Sequence, residues 1–282
     1  TTIGGGGVNN ASGCQSTISG GQCNTSSGYQ SSVGGGTLHI ASGCRSTING
    51  GFTNTASGLS STISGGNKNL SQAIAGFIGG GTCNNVCNVT SGCLSYGAVV
   101  VGGVGNNTTG GTWAIATCNF TVAPTICNAG QYSFVGGGFQ NRATACQSTI
   151  GGGFNNTASN TNSTISGGYC NTASGQNSVA GGGRLNNVSG TSSIISGGAS
   201  NSATGFASTI GGGFGNTSSG QSSTISGGYC NTSSSENSVI SGGIKNLSQA
   251  FGGFIGGGNC NSVRNLTSGC LAYGSVVVGG VG

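Results

Sequence analysis

STISGGQCNTSSGYQ, residues Ser16 to Gln30, runs directly into SSVGGGTLHIASGCR (Ser31 to Arg45) and then STINGGFTNTASGLS (Ser46 to Ser60). The same fifteen-residue cassette starts again at residues 1, 61, 98, 133, 148, 163, 178, 193, 208, 223 and 238. A short period held in strict phase means a solenoid, in which each turn buries its apolar positions only against its neighbours. With positions numbered 1 to 15 from Ser16, the consensus is Ser-Thr-Ile-x-Gly-Gly-x-x-Asn-x-Ala-Ser-Gly-x-x. It divides into two similar halves, each a short strand followed by a turn marked by glycine.

Side chains alternate faces along a strand. Positions 1, 3 and 5 are therefore expected on one inward face, and positions 9, 11 and 13 on another. Position 3 carries Ile18, Ile48, Ile63, Ile150 and Ile165, and position 11 carries Ala41, Ala56, Ala158 and Ala173. These two rows are the predicted core. Position 9 is Asn in nearly every cassette, including Asn24, Asn54, Asn156 and Asn171, and the stacked side chains predict an amide hydrogen-bond ladder. His39 takes that place once and is expected to sit in the ladder. Gly at positions 5 and 13 is expected at turn-flanking dihedrals that other residues resist, with Asn160 tolerating the left-handed region where it replaces Gly at position 13.

The predicted fold class is all-β, a parallel β-roll or β-solenoid with fifteen-residue coils of two short strands. So thin a core predicts lateral association, most simply into a homotrimer. Outward position 2 agrees, since it mixes Thr with Phe77, Val99, Phe134, Val179, Ile194, Val239 and Phe254.

A longer period overlies the short one. Residues 61–105 return as 238–282 with 35 of 45 positions identical, so a unit of 177 residues begins its second copy at residue 178. The predicted organisation is a solenoid over 1–112 with an elaborated turn at 76–97 and a small insert at 113–132. The solenoid then continues over 133–282, with a second elaborated turn at 253–274. The insert holds the only Trp and the only Pro and reads as two strands joined at Ala123-Pro124. The chain starts and stops inside cassettes, and so reads as a segment of a longer one.

Composition narrows the function. There is one His, one acid (Glu236) and no Asp, so neither a carboxylate pair nor a Ser-His-Asp arrangement can be assembled. The expectation is a protein that is not an enzyme and binds no cofactor or metal. Six Lys and Arg residues are scattered thinly, which argues against nucleic acid, and the apolar runs are far too short to insert in a membrane.

The Ser-x-Ile-x-Gly … Asn-x-Ala-Ser-Gly cassette resembles the β-roll repeats of YadA-like trimeric autotransporter adhesin heads. It also resembles the Gly-Gly-Gly-x-x-Asn-x-Ala-Ser-Gly arrays of fibre proteins of phages, large viruses and bacterial surfaces. Departures from the adhesin pattern are the fifteen-residue step, the second Gly and the Asn at position 9. The resemblance implies an extracellular, cell-surface or virion-exterior location. The expected function is a structural subunit of a filament or virion fibre that assembles with itself. The alternative is an adhesin head with a surface or glycan ligand. A further resemblance, to a grass ice-binding roll, is weakened because Phe, Val and Ile interrupt the Thr row at position 2.

Thirteen Cys are present. Between the long copies Cys83 and Cys93 recur as Cys260 and Cys270, which suggests a local disulfide in each elaborated turn; Cys118 and Cys127 would pin the insert likewise. Unpaired small turn residues are the competing reading. Disulfides would indicate an oxidising setting. Sequons at Asn24, Asn69, Asn88, Asn216, Asn246 and Asn265 are frequent enough to arise by composition. An aromatic recurs at position 7 (Phe52, Phe139, Phe154, Tyr169, Phe214, Tyr229), where packing competes with glycan binding.

Overall fold

The structure, a computed structural model, describes residues 1–87, 96–114, 117, 119–127, 129–264 and 273–282. Every element among them is a β-strand. The chain divides into two compact units, Thr1–Asn155 and Asn156–Gly282, and each is a parallel β-solenoid.

Each regular coil carries a strand at positions 2–3 and another at 10–11, as in Thr17–Ile18 and Thr25–Ser26. Each strand pairs in parallel with its equivalent in the next coil. Thr17 lies beside Ser32 and Ile18 beside Val33, while Thr25 lies beside Ile40 and Ser26 beside Ala41. A third contact, one residue wide, runs along position 7 from Gln22 to Thr37 to Phe52. The repeat predicts two strands per coil, and the position 7 column is an addition to them. The second unit repeats the arrangement: Thr164 beside Val179, Thr172 beside Asn187, Tyr169 beside Arg184.

The core rows fall where the alternation puts them. Ile18, Ile48, Ile63 and Ile150 in the first unit and Ile165 in the second are fully buried, as are Ala41, Ala56, Ala158 and Ala173. A fully buried Ile contributes about 2 kcal/mol. The rest of the interior is polar, since Ser at position 1 and Asn at position 9 are also buried. Where Ser at position 11 is followed by Ser five residues beyond, the two hydroxyls meet: Ser26 with Ser31 at 2.7 Å, Ser218 with Ser223 and Ser233 with Ser238 at 2.6 Å. Ala at position 11 keeps the interior equally narrow but leaves the facing hydroxyl of Ser16, Ser46, Ser61 and Ser208 buried without a partner.

Glycine is demanded at other positions than the alternation predicts. Position 5 does not face inward: Gly20, Gly35, Gly50 and Gly65 are half-exposed, and a Cβ on any of them would meet nothing. Position 6 is where the backbone demands glycine. Gly51 has φ +98°, and a Cβ there would lie 2.1 Å from the Gly66 carbonyl oxygen. At position 13 glycine serves closeness alone, since a Cβ on Gly43 would lie 2.2 Å from the Gly58 carbonyl oxygen, and other coils adjust to hold Ala73 or Asn160 there. Asn160, at position 13, is not left-handed. The left-handed residues are those at positions 8 and 15, such as Cys23 (φ 54°), Gln30 (φ 55°) and Thr53 (φ 55°).

The irregular regions are coils with excursions. In the elaborated turn at 76–97, Phe77–Ile78 and Asn85–Val86 occupy the two strand positions, and Tyr96 returns to pair with Ile74. The extra residues, 88–95, lie outside the described residues. The insert is also displaced from the predicted 113–132. The chain leaves the coil after Thr108, and Ala129 already donates to the Cys87 carbonyl at 2.9 Å. The four residues 129–132 belong to the coil.

Neighbouring glycines give a direct test. Gly51→Ala is expected to cost about 2 kcal/mol or more through overpacking and strain, whereas Gly50→Ala should leave the urea midpoint almost unchanged. Equal midpoints for the two variants would contradict the assignment of position 6 as the close-packed corner.

Candidate functional site

The residues that the solenoid most elaborately accommodates are the position 9 asparagines. Asn54 is fully buried. Its Nδ2 donates to the carbonyl of Gly50 at 3.0 Å in its own coil and of Gly66 at 2.9 Å in the next. Its Oδ1 accepts the backbone N–H of Asn69 at 2.9 Å. Asn24 donates likewise to Gly20 and Gly36. In the second unit Asn156 donates to Gly168 and accepts from the Asn171 backbone, and Asn171 donates to Gly167 and Gly183. The predicted ladder is therefore built mainly from side chain to backbone. Amide-to-amide contacts, such as Asn171 Nδ2 to Asn156 Oδ1 at 3.1 Å, accompany it only at some coils. Each amide closes both donors and one acceptor at the corner where the chain turns from position 6 to position 10.

His39 is the exception. Its backbone N–H donates to Asn24 Oδ1 at 3.0 Å, and its Nδ1 accepts the Asn54 N–H at 3.1 Å. The ring reproduces the acceptor of an asparagine. It does not reproduce the two donations, because Nε2 is buried with no hydrogen-bond partner. Burial holds its pKa below the usual 6.5. The expected ladder histidine is thus present but only half satisfied.

The insert is one long hairpin with a break in the middle. Thr108–Thr109 pairs antiparallel with Thr125–Ile126, and Thr112–Ala114 with Asn119–Val122. Gly110-Gly111 on one arm and Ala123-Pro124 on the other mark the break. The strand join expected at Ala123-Pro124 is there, but the two strands it links pair with the outgoing arm. Trp113 packs edge-on against Phe120 at 5.1 Å and against Phe139 of the position 7 column at 5.9 Å. This is how the hairpin lies against the solenoid.

Where the backbone departs, a side chain fills the gap in the ladder. Asn107 donates through Nδ2 to the Asn85 carbonyl at 3.1 Å and accepts the Ala143 N–H on Oδ1 at 3.0 Å. Nothing in the sequence singled out Asn107. Its one signal is the Asn-Asn doublet, and several coils share it.

Position 7 aromatics stack face to face along the column, Phe139 on Phe154 at 4.9 Å and Phe214 on Tyr229 at 5.5 Å. Stacked rings cover one another's faces and leave edges outward. That favours packing over the face-on platform that a sugar ring uses.

Within the first unit a cleft of about 220 Å³ lies between the hairpin and the coils, lined by Lys68, Leu70, Cys83, Asn84, Asn85 and Pro124 among others. Burial pushes the Cys83 thiol upward, opposed in part by the Lys68 ammonium. Cys83, Cys127 and Cys260 carry free thiols. Cys93, Cys118 and Cys270, their expected partners, lie outside the described residues. The sequons at Asn24, Asn69, Asn216 and Asn246 are buried ladder amides whose Nδ2 is already bonded, so the folded chain offers no glycan acceptor there. Asn88 and Asn265 lie outside the described residues. Among the described residues no cluster of three metal-ligating side chains occurs, and no helix is long and apolar enough to cross a membrane.

The fold and these sites define a parallel β-solenoid with a buried asparagine corner and one docked hairpin. No protein-family model matches the chain. No curated protein matches it either.

Two substitutions test the site. Asn201→Ala would strand the carbonyl of Gly197 and the N–H of Asn216, while the Gly213 carbonyl would keep its bond from the Ala199 N–H. At about 1 kcal/mol or more for each buried orphan, a loss of about 2 kcal/mol is expected in chemical denaturation. Trp113→Ala should release the hairpin while the solenoid stays folded, seen as faster hydrogen exchange confined to 108–127.

Proposed function

We propose that this chain is a structural subunit of an extracellular filament or virion fibre that assembles with copies of itself, a homotrimer being the favoured form. The observation that carries this reading is the identity of the bonding from coil to coil. The Asn24, Asn54, Asn171 and Asn201 amides make the same two donations in their own surroundings. A bonding scheme that repeats without a terminus lengthens by adding coils, and the duplicated 177-residue unit is such an addition.

Association is supported by the outward side of the strands. Phe134, Ile194 and Phe254, all at position 2, are each more than a third exposed. Apolar residues along an otherwise hydroxyl-bearing face favour a partner surface, and the sparse charge of the chain opposes it little.

The second reading is an adhesin head, and the cleft beneath the hairpin favours it. The two readings separate experimentally. Sedimentation and negative-stain microscopy of the purified chain are expected to show trimers or fibres. Monodisperse monomers that bind a glycan array through the hairpin side would reverse the order.

A further inference from the structure

His39 occupies a place where every bonding requirement of the fold is met by an amide. The neighbouring corners show what is missing. Asn24 and Asn54 each give two N–H bonds to carbonyls and one acceptor to the next coil. The imidazole gives only the acceptor, Nδ1, to the Asn54 N–H. Accepting there fixes the neutral tautomer with its proton on Nε2, and that N–H is buried without a partner.

We propose that His39 is an acid-labile seam: protonation of its Nδ1 opens the solenoid locally between the coils of Thr37 and Asn54. A proton arriving at Nδ1 turns the acceptor into a donor that faces the Asn54 N–H, so the hydrogen bond is lost and two donors oppose each other. The new cation is fully buried, and burial of an unpaired charge is among the most costly events in a protein interior.

No counter-charge is at hand. The single acid of the chain is Glu236, so residues 1–155 contain no carboxylate. The titratable groups in the coil of His39 and the coil preceding it are Cys23, Tyr29, Cys44 and Arg45, and the coil that follows has none. None of them acts on the imidazole, whose surroundings are burial and the backbone of Gly51 and Asn54. The only relief is for the ring to leave the interior, which requires the corner to open.

The sign follows from linkage. The opened coil binds a proton near the ordinary value of 6.5 and the closed coil only at lower pH. Closure is therefore complete above about pH 6.5 and weakens as pH falls. The population of the open form approaches a tenfold rise per pH unit in that range.

The second copy supplies the control. Position 39 corresponds to Asn216, whose amide bonds to Gly212 and Gly228 and takes the Asn231 N–H. Hydrogen exchange, corrected for the intrinsic pH dependence, would be measured from pH 8 to 4.5 on the full chain, on His39→Asn and on Asn216→His. The wild type is expected to lose protection around 37–54 below pH 6.5, by up to about tenfold per unit, while 212–231 stays protected. His39→Asn should abolish that loss, and Asn216→His should create it around 212–231. The same loss around 37–54 in His39→Asn, or unchanged wild-type protection down to pH 4.5, would overturn the proposal. Imidazole titration by NMR provides a measurement that needs no variant: a midpoint at or above 6.5 would also overturn it.

Discussion

One corner governs this fold. Between positions 6 and 10 the chain turns around a buried side chain, and the backbone groups there need partners. The position 9 amide supplies them, with one N–H bond inside the coil and one to the next, and its oxygen takes the next N–H. Glycine at position 6 is the other half of the same device. A Cβ on Gly66 would lie 2.6 Å from Asn69 Nδ2 and 2.2 Å from the Gly81 carbonyl oxygen. Asn and Gly therefore recur together because each makes room for, or fills the room left by, the other. With only one Ile and one small residue per coil in the apolar interior, satisfying these polar groups matters as much as burial does.

The turns on either side show the same priority of ladder over local preference. Thr53 and Lys68 at position 8, and Arg45 and Ser60 at position 15, lie in the left-handed region, which costs a residue with a Cβ roughly 1–2 kcal/mol. The conformation holds because each such N–H donates to the coil before. Thr53 bonds to the Thr37 carbonyl at 2.9 Å and Arg45 to the Tyr29 carbonyl at 2.7 Å. Position 8 accordingly accepts Val8, Leu38 and Thr53, none of which belongs there by intrinsic preference.

The excursions respect the lattice they interrupt. Before and after residues 88–95 the coil keeps its register, with Phe77 beside Val99. At the hairpin the Asn107 side chain stands in for departed backbone, and Trp113 joins the aromatic column. Variation is admitted at corners where coil-to-coil bonding can be restored. A binding role for the hairpin would be compatible with this, since its attachment leaves the bonding of the coils beneath it intact.

The period, the all-β solenoid, the buried rows of Ile18 to Ile165 and the burial of the position 9 asparagines can be read from the linear chain. These follow from strand alternation and from a phase that survives fourteen cassettes. That position 6, not position 5, is the demanding glycine emerges from the packing of coil on coil. The same is true of the left-handed residues at 8 and 15, the ladder running from side chain to backbone, and the excursion beginning after Thr108. The physical reason is common to all four. Each depends on what lies one coil above or below, about 4.8 Å away along the axis and fifteen residues away in sequence. Local patterning carries no information about that separation. His39 was legible as a substituted ladder residue, but its missing partner became visible only when the ring was seen between two coils with one nitrogen engaged and the other sealed in.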